Sequence, residues 1–279
     1  MVRRGAAALG DEGTGFCGLQ LQEGVRTVEE EIERALHRIF KEPMTIDFAG
    51  RTDTGVHAVG QVISFFVKYD TMADRDVKNA LNANLPSDIY TRRVWTVETN
   101  FNPRFAATRR IYHYYVLNTR EPDLFSKNRC WWFPYPLDIP RMRAGSRYLE
   151  GIHDFSTFMK KDKYEDKNPV RVVFRVRVTP LRRPGLILIR VEGQSFLRRM
   201  VRNIVGALIR VGTGQWEPQK IKEIIMERTR TALNTTAPLE GLYLYSVDFT
   251  PVPIQNYLKN AYWSENDLRE DLFCSRADS

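Results

Sequence analysis

The sequence has little cysteine, little histidine and no long apolar run. Its three cysteines lie far apart, so they predict neither a disulfide framework nor a cysteine-rich metal site, and they fit a reducing compartment. The four histidines are scattered, which argues against a histidine-based metal site. No stretch reaches the length needed to span a bilayer. The apolar N-terminal residues are too few for a secretory signal and are followed at once by Asp11 and Glu12. We therefore expect a cytoplasmic protein that does not associate with membranes.

Two signatures of nucleotide binding are also missing. No Gly-Lys-Ser/Thr follows the glycine-rich residues 10–18, and no dinucleotide glycine fingerprint occurs. What the sequence does have is positive charge, since 42 Lys and Arg against 34 Asp and Glu give a net charge of +8. This excess favours a polyanionic partner such as nucleic acid, although a solvated basic surface explains it too.

Hydrophobic patterning predicts alternating helices and strands. Thr27 and Glu30 have the spacing of a capping box at the start of a first helix. Asp74 is placed to cap a second helix, and Ser195 a helix over 196–209. Alternating residues predict strands over 89–97, 109–117, 171–179, 185–191 and 241–249.

The order reads strand–helix–strand–strand–helix–strand, twice over. This order favours an α+β fold of two similar units with mostly antiparallel sheets over a doubly wound parallel fold. We place the first unit at residues 1–107 and the second at 108–250. Residues 251–279 carry little periodicity and form a C-terminal extension without an assigned role.

One ten-residue stretch, Ala49 to Ala58 (AGRTDTGVHA), combines reactive groups with turn residues. It joins two β-prone runs and places Arg51, Asp53 and His57 within seven positions. A plain hairpin needs only turn residues, so a guanidinium, a carboxylate and an imidazole between strands indicate a functional site. The alternative is a surface loop whose aspartate caps a turn.

Two further segments carry candidate residues. In the strand 109–117, Tyr112 and Tyr114 share one face, which suits either base stacking or an aromatic ladder in a sheet. In the helix expected after Ser195, Arg202 stands beside the apolar stripe, where its side chain reaches a cleft or belongs to a solvated basic face.

Taken together, the loop 49–58, the strand 109–117 and the helix 195–209 resemble the TruA family of tRNA pseudouridine synthases. The similarity extends in order over residues 12–250, with Thr54 where Ala is also usual. It implies a pseudouridine synthase fold, with the two units facing each other across a central catalytic cleft. It also implies conversion of a uridine in the tRNA anticodon arm, typically at positions 38–40, to its C-glycoside isomer without cofactor or metal. Family members are homodimers with one tRNA crossing both subunits.

The resemblance assigns roles residue by residue. Asp53 matches the catalytic aspartate, Arg202 the cation paired with it, and Tyr112 the tyrosine that stacks on the target base and accepts or relays its C5 proton. Arg51 matches a residue that assists extrusion of the uridine, and Leu242 an apolar residue of the pocket. His57 is left with a structural role. Whether the aspartate attacks C1′ or removes the C2′ proton stays open.

The N-terminal segment departs from the family pattern. The family's first strand is an alternating apolar segment ending in Tyr-Asp-Gly-Thr, whereas residues 3–11 are rich in Ala and Gly. This composition predicts a first strand that is absent, short or irregular.

Two other functions remain as alternatives. One is an RNA-binding module without chemistry, which the joint presence of Asp53, Tyr112 and Arg202 argues against. The other is a glycoside hydrolase using Asp47 and Asp53, which leaves the basic charge unexplained.

Overall fold

A computed structural model describes residues 2–68, 72–159, 168–228, 233 and 235–250. The expected extension at 251–279 lies outside these residues. The described chain forms two compact units. Unit 1 comprises the described part of Met1–Arg110 together with Leu239–Thr250, and unit 2 the described part of Ile111–Pro238.

Unit 1 is a sheet with two longer helices and one short one. Its elements are β1 (Val2–Asp11), α1 (Val28–Phe40), β2 (Ile46–Phe48), β3 (His57–Lys68), α2 (Asp74–Asn84), β4 (Ile89–Val97), α3 (Pro103–Ala106) and β10 (Leu242–Asp248). The strands lie in the order β4-β1-β3-β10, and β2 also pairs with β3. β1 runs antiparallel to both neighbours and β2 antiparallel to β3, whereas β10 runs parallel to β3. The predicted α+β fold with mostly antiparallel pairing is confirmed.

The prediction that the first strand is absent or short is wrong, whereas the expected irregularity is present. The pairing of β1 shifts register between Leu9 and Asp11 on the β3 side and between Ala8 and Leu9 on the β4 side. β1 spans ten residues and is paired on both sides, from Val2 opposite Lys68 to Asp11 opposite Ala58 on the β3 side. Small residues are needed here because large neighbours fill the space. A Cβ added at Gly5 would lie 2.9 Å from Cζ of Phe65. The glycine at position 5 therefore reflects packing against β3 rather than loss of the strand.

The helices of unit 1 cover one hydrophobic core. Thr27 caps α1 as predicted, accepting a hydrogen bond from the Glu30 amide at 3.3 Å. Ile32 and Leu36 of α1 are buried in the core with β1 and β3 residues. The predicted cap of α2 is wrong, because Ala73 is the N-cap and Asp74 is already helical. The Asp74 carboxylate instead binds Arg3 of β1 and the hydroxyl of Thr96 in β4.

Unit 2 also contains both strands and helices. Its elements are β5 (Arg109–Leu117, whose first two residues belong to unit 1), β6 (Trp131–Trp132), α4 (Ile139–Ser146), β7 (Gly151–Asp154), β8 (Val170–Pro180), β9 (Leu186–Gly193), α5 (Met200–Gly212) and α6 (Lys220–Glu227). The strands lie in the order β5-β9-β8-β7, and β6 pairs in parallel with the end of β5. α4 packs against α5 and β8.

The predicted start of α5 at Ser195 is wrong. The helix begins at Met200, after Arg199 in the left-handed conformation with φ 63°. Phe196 and Leu197 precede the helix, and Leu197 is buried. Tertiary contacts of these apolar side chains therefore override the helical spacing that the sequence suggested.

The last strand joins the first unit. Residues 239–250 belong to unit 1, since Tyr243 and Leu244 of β10 pair with His57 and Ala58 of β3. The sequence-based division places the same residues in the second subdomain. Within the described ranges, no helix is long and apolar enough to cross a membrane.

Candidate functional site

Asp53 lies in the loop between β2 and β3 of unit 1 and is half-buried. The carbonyl of Asp53 accepts a hydrogen bond from the Val56 amide at 3.0 Å, which closes a tight turn. Gly55 lies within this turn at φ +74°, a conformation that a residue with a Cβ rarely adopts. The sequence thus fixes the backbone that presents the carboxylate.

Residues 16–19 hold one side of this loop. The Leu19 amide donates to the Thr52 carbonyl at 3.1 Å, and the Gly55 amide to the Phe16 carbonyl at 3.4 Å. Gly18 lies between these contacts at φ +92°, and a Cβ there would stand 2.9 Å from the Thr52 oxygen. Only glycine fits this approach without strain.

The start of α1 anchors the same segment. The Val28 amide donates to the Gly18 carbonyl at 3.2 Å, and the Glu29 amide to the Leu19 carbonyl at 2.9 Å. The first amides of a helix have no partner within it, so their use here is favourable. The Asp53 loop is therefore tied to α1 through residues 16–19.

Buried side chains hold the other side of the loop. The Gln61 side-chain amide donates to the Gly50 carbonyl at 2.6 Å. Arg110 donates from Nε at 3.0 Å and from Nη2 at 2.7 Å to the Ala49 carbonyl. Both side chains are buried, and a charged donor strengthens its hydrogen bond. Asp53 consequently stands on a loop that is fixed on both sides.

His57 serves the framework of unit 1. Its Nδ1 accepts a hydrogen bond from the Gly13 amide at 3.0 Å. Its ring stacks on Tyr243, with centroids 4.5 Å apart. These contacts join β3, β10 and the segment after β1, which agrees with the structural role expected of His57.

The structure places two more predicted residues in unit 1. Arg51 is exposed on the loop, two residues before Asp53. Leu242 is buried at the start of β10 and precedes Tyr243, whose register partner is His57. Leu242 thus enters the sheet at the end of β3 that follows the Asp53 loop.

Tyr112 lies in unit 2, in the middle of β5, and is 8% exposed. Its ring meets Phe196 edge to face at a centroid distance of 5.2 Å. The neighbouring His113 is no candidate for a cation at neutral pH, because burial and the charge of Arg190 lower its pKa to about 4. Tyr112 thus lies on β5 as a buried ring in contact with a second aromatic ring.

Arg202 is buried in the first turn of α5, in unit 2. Its Nε donates to the Ala237 carbonyl at 2.6 Å, and the Ala237 amide donates to the Arg202 carbonyl at 3.2 Å. The next residue, Asn203, binds the Phe158 carbonyl and the Thr236 hydroxyl. Burial rules out the solvated basic face considered for Arg202, and these contacts fix where its guanidinium lies.

The predicted site residues fall into two sets. Asp53, Arg51 and Leu242 belong to unit 1, and Tyr112 and Arg202 to unit 2. That the two sets meet in one cleft stays a prediction. Among the residues that the structure describes, no cluster of three or more His, Cys, Asp or Glu is arranged to hold a metal ion.

Sequence reasoning missed the residues that hold the loop. Arg110 was not among the candidate residues, although the arginine doublet Arg109–Arg110 before an aromatic strand was an available signal. Gln61 gave no signal. Asp47, the second carboxylate of the hydrolase alternative, is committed to Arg4 in an ion pair on β2.

Comparison with known proteins shows the family of the chain. Residues 7–106 and 146–250 match the family model described as tRNA pseudouridine synthase. The tRNA pseudouridine synthase A of Thermosipho africanus is 55% identical over 248 residues, covering 89% of this chain and all of that protein. The protein of the same name from Thermotoga maritima is 51% identical with the same coverage.

Matches of this extent define the class of the protein, an isomerase that acts on uridine in RNA. The chain belongs to the tRNA pseudouridine synthase family. The resemblance to the TruA proteins is thereby confirmed.

Proposed function

We propose that this enzyme converts uridine to pseudouridine in the anticodon stem-loop of tRNA, at positions 38–40, with Asp53 as the essential catalytic group. The observation that carries the proposal is the Asp53 loop, a carboxylate on a backbone fixed from both sides in a chain that covers its tRNA pseudouridine synthase A relatives completely.

The reaction explains the kind of group required. The bond between C1′ and N1 breaks, the uracil turns over, C5 bonds to C1′, and a proton leaves C5 while N1 gains one. A carboxylate serves this sequence either by attack on C1′ or by removal of the C2′ proton. It does so only when ionised, and a neighbouring cation opposes the cost of burying its charge.

Arg202 is our candidate for that cation. Arg202 is buried, so solvent screens its charge little, and its bond to Ala237 orients its side chain. The proposal requires Arg202 to come within ion-pair distance of Asp53 when tRNA is bound. An experimental structure of the tRNA complex with Arg202 facing away from Asp53 would refute this pairing.

The other predicted residues receive roles that suit their positions. Tyr112 offers a phenol whose ring stacks on uracil and whose oxygen takes up the C5 proton. Leu242 lines the pocket. Arg51, exposed two residues before Asp53, assists extrusion of a uridine that is stacked within a stem.

We also propose that the enzyme acts as a cytoplasmic homodimer with one tRNA crossing both subunits. The net charge of +8 supports binding of the phosphate backbone, which positions tRNA without reading its sequence. No cofactor or metal takes part in this proposal.

The test is product detection on defined substrates. Three tRNAs, each with a single uridine at position 38, 39 or 40, are incubated with the protein and mapped by carbodiimide treatment and primer extension. Pseudouridine at these positions is the expected result. Binding without modification would indicate an RNA-binding module, and release of free uracil would indicate a hydrolase, so either result contradicts the proposal.

A further inference from the structure

The short helix α3 exposes an aromatic ring to solvent. It packs against β2 and β3, the strands on either side of the Asp53 loop. Phe105 is 77% exposed, the most exposed large apolar side chain among the described residues of unit 1. The Arg104 guanidinium lies 5.7 Å from the centre of this ring. An aromatic ring beside a cation is a common arrangement for binding single-stranded nucleic acid.

The turn that carries Phe105 is held in place by hydrogen bonds. The Asn102 side chain accepts hydrogen bonds from the amides of Arg104 at 2.9 Å and Phe105 at 3.4 Å. Pro103 occupies the first turn and is buried. Such a cap holds the backbone in place, so little entropy is lost when the ring meets a ligand.

The same turn is fastened to the catalytic loop. Arg110 donates from Nη2 to the Arg104 carbonyl at 2.7 Å, and the same guanidinium donates to the Ala49 carbonyl. α3 also packs against β2 and β3, the two strands that flank the loop. One buried cation thus fixes the spacing between Phe105 and the loop of Asp53.

A cavity of about 660 Å³ opens beside the ring. Its lining combines apolar residues such as Val97, Phe101 and Phe105 with the polar residues Glu98, Asn100 and Asn102. The carboxylate of Glu98 disfavours a phosphate inside the cavity, whereas an aromatic face with amide neighbours suits a nucleobase.

We propose that the Arg104–Phe105 turn is a second RNA contact of this enzyme, at which Phe105 stacks on an unpaired base while Arg104 meets the backbone of the same RNA. This inference rests on the proposed function, since it places the contact on the RNA whose uridine reaches Asp53. RNA is favoured over a second copy of the chain because the exposed ring lies beside the Arg104 cation, on a turn that Arg110 joins to the Asp53 loop, and because the chain carries a net charge of +8.

The test compares Phe105→Ala and Phe105→Trp with a matched control, Phe125→Ala. Phe125 is 91% exposed in unit 2, so its loss removes an equally solvated ring elsewhere. Affinity for an anticodon stem-loop RNA is measured by filter binding, together with the single-turnover rate of pseudouridine formation and the melting temperature. Loss of one stacked base predicts that Phe105→Ala weakens binding by about 10- to 100-fold. Phe105→Trp retains affinity, Phe125→Ala binds as the parent, and all three melt as the parent.

The RNA affinity of Phe105→Ala relative to that of the parent tests this inference separately from the proposed function. A protein that binds RNA but forms no pseudouridine contradicts the proposed function, while its Phe105→Ala ratio still reports on the turn. Parent-like affinity in Phe105→Ala, or an equal loss in Phe125→Ala, overturns the inference. A change of oligomeric state in Phe105→Ala with unchanged RNA affinity assigns the ring to a second copy and overturns it as well.

Discussion

Asp11 gives the protein a pH-dependent stability that one substitution should remove. This residue ends β1 and is 6% exposed. Burial, and then the negative charges of Asp88 and Glu12, raise the pKa of its carboxyl from 3.8 to about 8, while a backbone hydrogen bond at Ala58 acts in the opposite direction. The neutral carboxyl is therefore the form that the fold prefers.

The sign of the effect follows from this preference. The folded state holds the proton more tightly than the unfolded chain, whose carboxyl has its ordinary pKa of 3.8. The contribution to stability is complete below pH 4, declines as the pH rises, and stops declining above pH 8. With about 1.4 kcal/mol for each pKa unit, the loss between pH 5 and pH 8 amounts to about 3 to 4 kcal/mol.

Asp11→Asn keeps the shape of the neutral carboxyl and cannot ionise. We expect the melting temperature of the variant to exceed that of the parent by a margin that grows by about 10 °C between pH 5 and pH 8. The assay is thermal unfolding followed by circular dichroism at each pH. Asp76→Asn, at an exposed position of α2, is the control and should shift equally at both pH values. An identical pH dependence in Asp11→Asn and the parent would refute the reasoning.

Three further substitutions test the supports of the Asp53 loop. Arg110→Gln removes both donors to the Ala49 carbonyl and the donor to the Arg104 carbonyl. It should lower kcat on tRNA by about 10- to 100-fold, with Arg110→Lys intermediate, and an unchanged kcat would contradict this. Gly18→Ala places a Cβ against the Thr52 carbonyl at positive φ and should lower the free energy of unfolding, measured with denaturant, by about 1 to 3 kcal/mol. An unchanged value would argue against the close contact between residues 16–19 and the Asp53 loop. Thr27→Ala removes the N-cap of α1 and should lower the free energy of unfolding by about 1 kcal/mol in the same assay. An unchanged value would show that water replaces the cap.

Local signals in the sequence were sufficient for much of the fold. The capping box at Thr27 and the alternation in β4 and β5 are short-range patterns, and the structure has these elements where the patterns predict them. The two errors at element starts have non-local causes. In the segment before α5, Leu197 is buried in the core. Asp74 forms an ion pair with Arg3 of β1, which lies 71 positions earlier in the sequence.

Long-range pairing was beyond local patterns. The partners of β10 lie about 180 residues earlier, so no spacing within its own segment indicates that Tyr243 pairs with His57. The length of β1 was misjudged because alanine and glycine weaken an isolated strand, whereas here Gly5 makes room for Phe65. The same distinction applies to the candidate site. A local motif indicates Asp53, whereas Arg110 supports its loop through a hydrogen bond to Ala49, which lies far away in the sequence.

The central claim is that Asp53 is the catalytic group of a tRNA pseudouridine synthase, and Asp53→Asn tests it most directly. The matched control is Asp47→Asn, since Asp47 is a nearby carboxylate held by Arg4 outside the loop. Pseudouridine formation in tRNA is measured for both variants, with tRNA affinity and melting temperature recorded alongside. We expect Asp53→Asn to bind tRNA and fold as the parent but to form no pseudouridine, while Asp47→Asn remains active. Turnover retained in Asp53→Asn would contradict it.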